Sequence, residues 1–179
     1  MECKVSDIYR ILDEIAPFDT QMDFDNAGLL LGDPEAPVRC ILTALDLTSG
    51  VAEEARRVGA QLLVTHHPVF FRPVKRLVET DPEARNVCAL IRGNVAMIAA
   101  HTNFDMAEGG VNDAQVLLTG EVKHHEALDA MERGLCVLEA GHFFTEFCAA
   151  RQLQKHLQER CDALQYNVKV LASDVHPFA

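Results

Sequence analysis

Apolar positions near the start of the chain recur every three or four residues. Val5, Ile8, Leu12 and Ile15 fall on one face of a helix predicted from Lys4 to Ile15, with Ser6 and Asp7 near its start. Pro17 ends it, because proline cannot donate to the helix ladder and its ring clashes with the preceding turn. Asp25-Asn26-Ala27-Gly28-Leu29-Leu30-Leu31-Gly32 then reads as a turn running into a short strand.

From Arg39 onward, short apolar runs alternate with amphipathic stretches. Cys40 to Leu45 is a strand. Ser49 to Val58 is a helix, with Ser49 as N-cap and Gly59 as its stop. Gln61 to Val64 is a second buried strand. A β-α-β unit of this length implies parallel strands. A helix from Pro82 to Arg92 is followed by a strand from Val95 to Ala100. Further on, Gln115 to Leu118 reads as a strand, His124 to Arg133 as a helix and Leu135 to Ala140 as a strand. A helix from about Phe143 to Arg160, a last strand at Asn167 to Ala172 and a loose end from Ser173 to Ala179 complete the pattern. The class is α/β: helices on both sides of a mostly parallel sheet, a three-layer arrangement. A weak echo divides the chain into two related lobes, 1–114 and 115–179. Each lobe offers a strand ending in Thr, a His pair and a strand leading to a His: Thr65, His66-His67 and His101, then Thr119, His124-His125 and His142. Chance similarity between β-α-β units is the competing explanation.

Composition narrows the class. The 179 residues are 49% hydrophobic, enough for a sizeable core, and no apolar run approaches the length of a membrane helix. The first residues lack the apolar segment of a secretory signal, so a cytoplasmic location is expected. The six cysteines show no Cys-x-x-Cys pair and several lie in apolar runs, which suits small buried hydrophobes in a reducing compartment. Zinc or redox cysteines are the other reading, one that no spacing supports. A net charge of −11 repels nucleic-acid phosphates at long range, which argues against a nucleic-acid partner. A small anionic substrate remains compatible, since local charge at a site can oppose the net charge.

The eight histidines are the unusual feature. Three segments share one design, in which a buried strand ends and metal-competent residues begin at once. They are Thr65-His66-His67, His101-Thr102-Asn103-Phe104-Asp105 and Gly141-His142. Ligands of open parallel sheets bind at the carboxyl ends of strands, so three parallel strands would bring these residues to one edge. Imidazole suits several first-row divalent metals, and carboxylate suits harder ions. His66 and His67, in the turn beyond a strand, can serve two neighbouring ions. His142 and Glu146, four apart, share a helical face and can reach one centre. Two divalent ions with Asp105 and Glu146 would leave +2, which favours a bound hydroxide or another anion. Each element also has a plainer reading. His66-His67 beside Pro68 fits a structured turn, and His-x-x-x-Glu pairs occur on solvated helices. His124-His125 after Lys123 fits a surface better than direct ligation.

Five segments carry a family resemblance: Asp25 to Gly32, Thr65-His66-His67-Pro68-Val69-Phe70-Phe71, His101 to Asp105, Leu118 to Leu128, and Gly141-His142-Phe143-Phe144-Thr145-Glu146. Together they resemble the Nif-three-like proteins, also called the dinuclear metal centre hexamer family. Many members of that family carry the name GTP cyclohydrolase type-two homologue. The resemblance implies that His66 and His67 each bind one of two metals, Asp105 binds one, His142 the other, and Glu146 contacts both. It places His101, Lys123 and His124 in the pocket as candidate catalytic residues, with the metal site between the lobes. It further implies two divalent ions (zinc, iron or manganese), α/β lobes and a toroidal homohexamer. Phe24 stands where the family often has Trp, and Glu139 where Asp often precedes Ala-Gly-His. The stretch between Ala114 and Gln115 is shorter than usual, so the second lobe is expected to be shortened.

The function expected from these residues is metal-dependent hydrolysis, GTP cyclohydrolase-like, through a metal-bound hydroxide, with His101 moving protons. A GTP-like substrate rests on the resemblance alone. The site has no closing thiolate, as in catalytic rather than structural zinc sites. A metal-delivery or regulatory scaffold is the alternative, and a module stapled by metal is a third.

Overall fold

The computed structural model describes residues 2–107, 116–132 and 136–175. Its centre is a five-stranded sheet of β2 (Gly28–Leu31), β6 (Ala96–Ala99), β5 (Leu62–Thr65), β4 (Cys40–Ala44) and β9 (Lys169–Ala172), in that spatial order. Strands β4, β5, β6 and β9 run parallel, while β2 is antiparallel at one edge. Two short strands, β1 (Cys3–Lys4) and β3 (Pro37–Val38), pair antiparallel outside it.

Alternation along the strands sends side chains to two separate cores. Ile41, Leu62, Val64, Ala96 and Ile98 face one core, which is covered by α1 (Val5–Ile15) and α6 (His142–Ala163). Leu42, Ala44, Leu63 and Met97 face the other, covered by α2 (Ser49–Val58) and α3 (Pro82–Arg92). This is the three-layer α/β/α arrangement, and burial on both faces explains why the strands read as continuous apolar runs.

The helix boundaries follow local chemistry. Asp7 closes the start of α1 by accepting from the Lys4 amide at 2.9 Å. The cap of α2 is Thr48, whose hydroxyl accepts from the Val51 amide at 3.2 Å. Ser49, expected as the cap, is already helical, and its hydroxyl instead meets Asn86 of α3 at 3.0 Å. Gly59 ends α2 with φ +68, a left-handed cap that glycine adopts without a Cβ penalty. Asp81 caps α3 ahead of Pro82.

The sheet also corrects one expectation. Strand β8 (Cys136–Glu139) does not join β5 and β6 in one sheet. It pairs in parallel with β7 (Val116–Thr119) as a separate two-stranded ladder. The helix α5 (His124–Glu132) links the two. From the stretch after 115, α6 and β9 are built onto β4.

The ladders repeat one motif. The Thr65 hydroxyl donates to the His67 carbonyl at 2.7 Å, and the Thr119 hydroxyl donates to the Glu121 carbonyl at 2.9 Å. The Thr65 carbonyl accepts from the Ala100 amide and the Thr119 carbonyl from the Ala140 amide. In both, the second strand leads within two or three residues into a helix, α4 (Thr102–Met106) or α6.

Candidate metal centre

The site lies at the carboxyl end of the central sheet. His66 and His67 follow β5, and their amides donate to the carbonyls of Ala44 and Leu45 at the end of β4. His101 follows β6 and Asp105 lies in α4, whose first turn is closed by Phe104 and Asp105 amides donating to the His101 carbonyl. His142 and Glu146 belong to the first turns of α6. That helix reaches the sheet edge because its body packs on β4 and β9, with Ala149, Ala150, Leu153 and Leu157 buried.

The histidine rings are held from behind. His66 Nδ1–H donates to the Ala100 carbonyl at 2.9 Å. His67 Nδ1–H donates to Asp46 Oδ1 at 2.7 Å, and His101 Nδ1–H to Asp25 Oδ1 at 2.9 Å. An acceptor at Nδ1 fixes the tautomer and leaves Nε2 as the ligating atom, the arrangement that usually backs a metal-binding imidazole. Glu146 Oε2 lies 2.8 Å from His67 Nε2 and 3.1 Å from His142 Nε2. Asp105 Oδ1 lies 3.5 Å from His66 Nε2.

Two donor groups result, each with its ligand atoms within 4.8 Å of one another: His66, His67 and His101, and His67, His142 and Glu146. They share His67, and three of their members, His67, His101 and His142, line a cavity of about 430 Å³ together with Asp46 and Phe71. The residues therefore fit divalent metal ions, and the His and Glu groups could hold one.

Electrostatics separate the two adjacent histidines. Burial, with His67 and His101 close by, pushes His66 down to about 4. Burial also opposes charge on His67, but hydrogen bonds to Asp46 and Glu146 outweigh it and raise its pKa to about 9. For Glu146, burial works to raise the pKa, yet the bond to His67 and the nearby histidine charge bring it below the usual range. Asp105 moves the other way, raised mainly by burial. Asp25 has a fully buried side chain and ends below the usual range because Thr102 and His101 bond to it.

All five expected ligands converge at this edge. His101 stands among them, closer than a pocket-lining role required. Lys123 and His124 do not join them. Both are exposed at the start of α5, where the Lys123 amide donates to Glu126. Asp46 was not anticipated, although it follows β4 by the same strand-end rule that marked the histidines. Asp25 lay inside a recognised segment without a role. It reaches the edge because β2 runs antiparallel, so the turn before β2 meets the end of β6.

Comparison with known proteins agrees with this architecture. The family profile described as Duf34/NIF3 (NGG1p interacting factor 3) matches residues 3–116 and 112–178. The two matches meet where the shortened stretch was expected. A protein named "GTP cyclohydrolase 1 type 2 homolog" from Clostridium perfringens is 40% identical over 117 residues, covering 65% of this chain and 45% of the relative. One of the same name from Clostridium acetobutylicum is 38% identical over 120 residues, covering 67% and 45%. The chain thus matches less than half the length of these curated relatives. Among solved structures, a Bacillus cereus protein related to NIF3 superposes with TM-score 0.87 at 18% identity, covering 99% of this chain and 98% of that one. Reduced HcgD from Methanocaldococcus jannaschii gives 0.80 at 19% identity, covering 98% and 99%. At these identities the structural likeness concerns the fold.

Proposed function

The chain belongs to the Duf34/NIF3 family, and from that premise we propose that it is a hydrolase that depends on two divalent metal ions and acts on a small anionic substrate. The observation that carries the proposal is the backing of three imidazoles through Nδ1, which leaves their Nε2 atoms free to ligate within one donor group, two of the rings lining the cavity. His66 with Asp105 would hold one ion and His67 with His142 the other, and Glu146 would serve both. Ions bound there would supply Lewis acidity, lowering the pKa of water and stabilising developing negative charge.

The chain's own groups then have distinct tasks. Asp46 and Asp25 orient His67 and His101. His101, next to both His66 and His67, is placed to accept and return a proton at Nε2, with Asp25 stabilising the imidazolium that results. Phe71 packs edge-on against His101 at 5.6 Å between ring centroids.

Elemental analysis of the purified protein tests the metal reading, with about two ions per chain expected and fewer after Glu146→Ala. Absence of metal, or content unchanged by His66→Ala with His142→Ala, overturns it. Turnover of GTP and a panel of phosphoesters tests hydrolysis. A metal-loaded protein inert to the whole panel that passes its metal to an apo-protein would instead be a delivery scaffold.

A further inference from the structure

Metal ions at the site would leave no surplus charge to draw an anion in from a distance. Two divalent ions bring +4, Asp105 and Glu146 return −2, and Asp46 and Asp25, bonded directly to His67 and His101, return the other −2. The net charge of the whole chain is −11. An anionic substrate therefore needs a separate source of positive charge near the cavity.

The segment after His67 supplies one. A second cavity of about 620 Å³ is lined by Asn26, Phe70, Phe71, Arg72, Lys75 and Arg76. It adjoins the metal cavity through Phe71, which lines both. Among the described residues, Arg72, Lys75 and Arg76 have no acidic partner, whereas most of the chain's other cations do. The acids closest in sequence are already engaged: Glu79 is clamped by the Arg92 guanidinium through two bonds, and Asp81 caps α3. Asp25 also lines this cavity, but its buried carboxylate is taken by His101, Thr102 and the Asn26 amide. The loop is tied down at its start, where the Asn26 side-chain amide donates to the Phe70 carbonyl at 2.6 Å.

We propose that this cavity binds the phosphate group of a phosphorylated small molecule, with Phe71 against an aromatic or other planar portion that extends toward the histidine cluster. Three cations converging on one cavity match the charge and acceptor oxygens of phosphate, and arginine does so in a bidentate way. The half-exposed Phe71 ring offers a stacking face between the two cavities. The proposal rests on the hydrolase reading for its purpose, but binding at this loop requires no metal.

Isothermal titration of the full chain with phenyl phosphate and with inorganic phosphate tests it, first metal-loaded and then in EDTA. The triple substitution Arg72→Ala, Lys75→Ala, Arg76→Ala should weaken both ligands at least about tenfold, with or without metal, and flatten the salt dependence. Phe71→Ala should weaken phenyl phosphate and leave inorganic phosphate unchanged. Arg85→Ala, a cation outside the cavity, should change neither. The loop is exposed, so an unchanged thermal unfolding curve shows that each variant is folded. The inference is overturned if the triple variant binds within twofold of the parent, or if the parent binds neither ligand or binds them only when metal is present. A chain that holds no metal yet loses phosphate with the triple substitution would sink the hydrolase reading and leave this site standing.

Discussion

At pH 7 a metal ion arriving at His67 meets an imidazolium. Its proton, held to about pH 9 between Asp46 and Glu146, must leave before Nε2 can ligate. Zinc binding at pH 7 should therefore release about one proton from this ring, and the release should vanish above about pH 9. Titrations in buffers of different ionisation enthalpy measure it. Without metal, the same group shapes stability. A folded pKa raised above the ordinary 6.5 means its contribution is complete below 6.5 and lost as pH rises to about 9. His66, depressed to about 4, contributes above 6.5 and loses that contribution as pH falls toward 4. Denaturant unfolding of metal-free protein should show these two rings narrowing stability toward a maximum near 6.5. Asp46→Asn keeps an acceptor at His67 Nδ1 but removes its charge, and should cost about 10–100-fold in metal affinity without unfolding the chain. The sequence pointed to the five residues that meet at this edge, His66, His67 and Asp105 through strand ends and motif, His142 and Glu146 more through the family resemblance. The acids behind the rings were harder to see, because strand adjacency brings Asp46 to His67, and antiparallel pairing of β2 brings Asp25 to His101.

Most elements were read to within a residue or two, since burial on one or two faces leaves a plain imprint, while α6 runs three residues past its expected end. Helix α2 was predicted with its observed bounds. The five-residue α4 left no such imprint, and the sheet to which β8 belongs could not be read from its own residues. Which ladder a strand joins is decided by long-range pairing. Yet the β7–β8 ladder still delivers His142, by a close approach. A Cβ added at Gly120 would lie 2.3 Å from His142 Cα and 3.0 Å from its amide nitrogen. Backbone cannot yield there as a flexible side chain would, so Gly120→Ala should push the start of α6 off the site. The expected result is lower metal content, chiefly of the ion that His67 and His142 would hold, with the far-ultraviolet circular dichroism unchanged. Full metal content in that variant would show that α6 tolerates the shift.

For the whole molecule, the candidate centre gathers residues that follow β5 with residues of α4 and α6, so a bound metal would add links between elements already joined by apolar packing, by the His67–Glu146 pair and by hydrogen bonds such as Thr43 to the Ala150 carbonyl at 2.8 Å. Ligand that binds only the folded state stabilises it by mass action, about 2.7 kcal/mol at a hundredfold excess over Kd. EDTA should lower the unfolding temperature accordingly, and His67→Ala should abolish the difference. Among the described residues no helix is long and apolar enough to cross a membrane. The parallel pairing of β9 with β4, Cys40 opposite Lys169, has a further consequence for how the protein is made. During synthesis β4 leaves the ribosome long before β9 does, on the order of ten seconds at ordinary elongation rates. For that interval β4 is an open edge of apolar residues, able to pair with strands of other nascent chains. Glu146 and His142 are also still unplaced, since α6 seats against both strands. Any metal that needs His142 and Glu146 would thus be bound in full only after β9 has paired with β4.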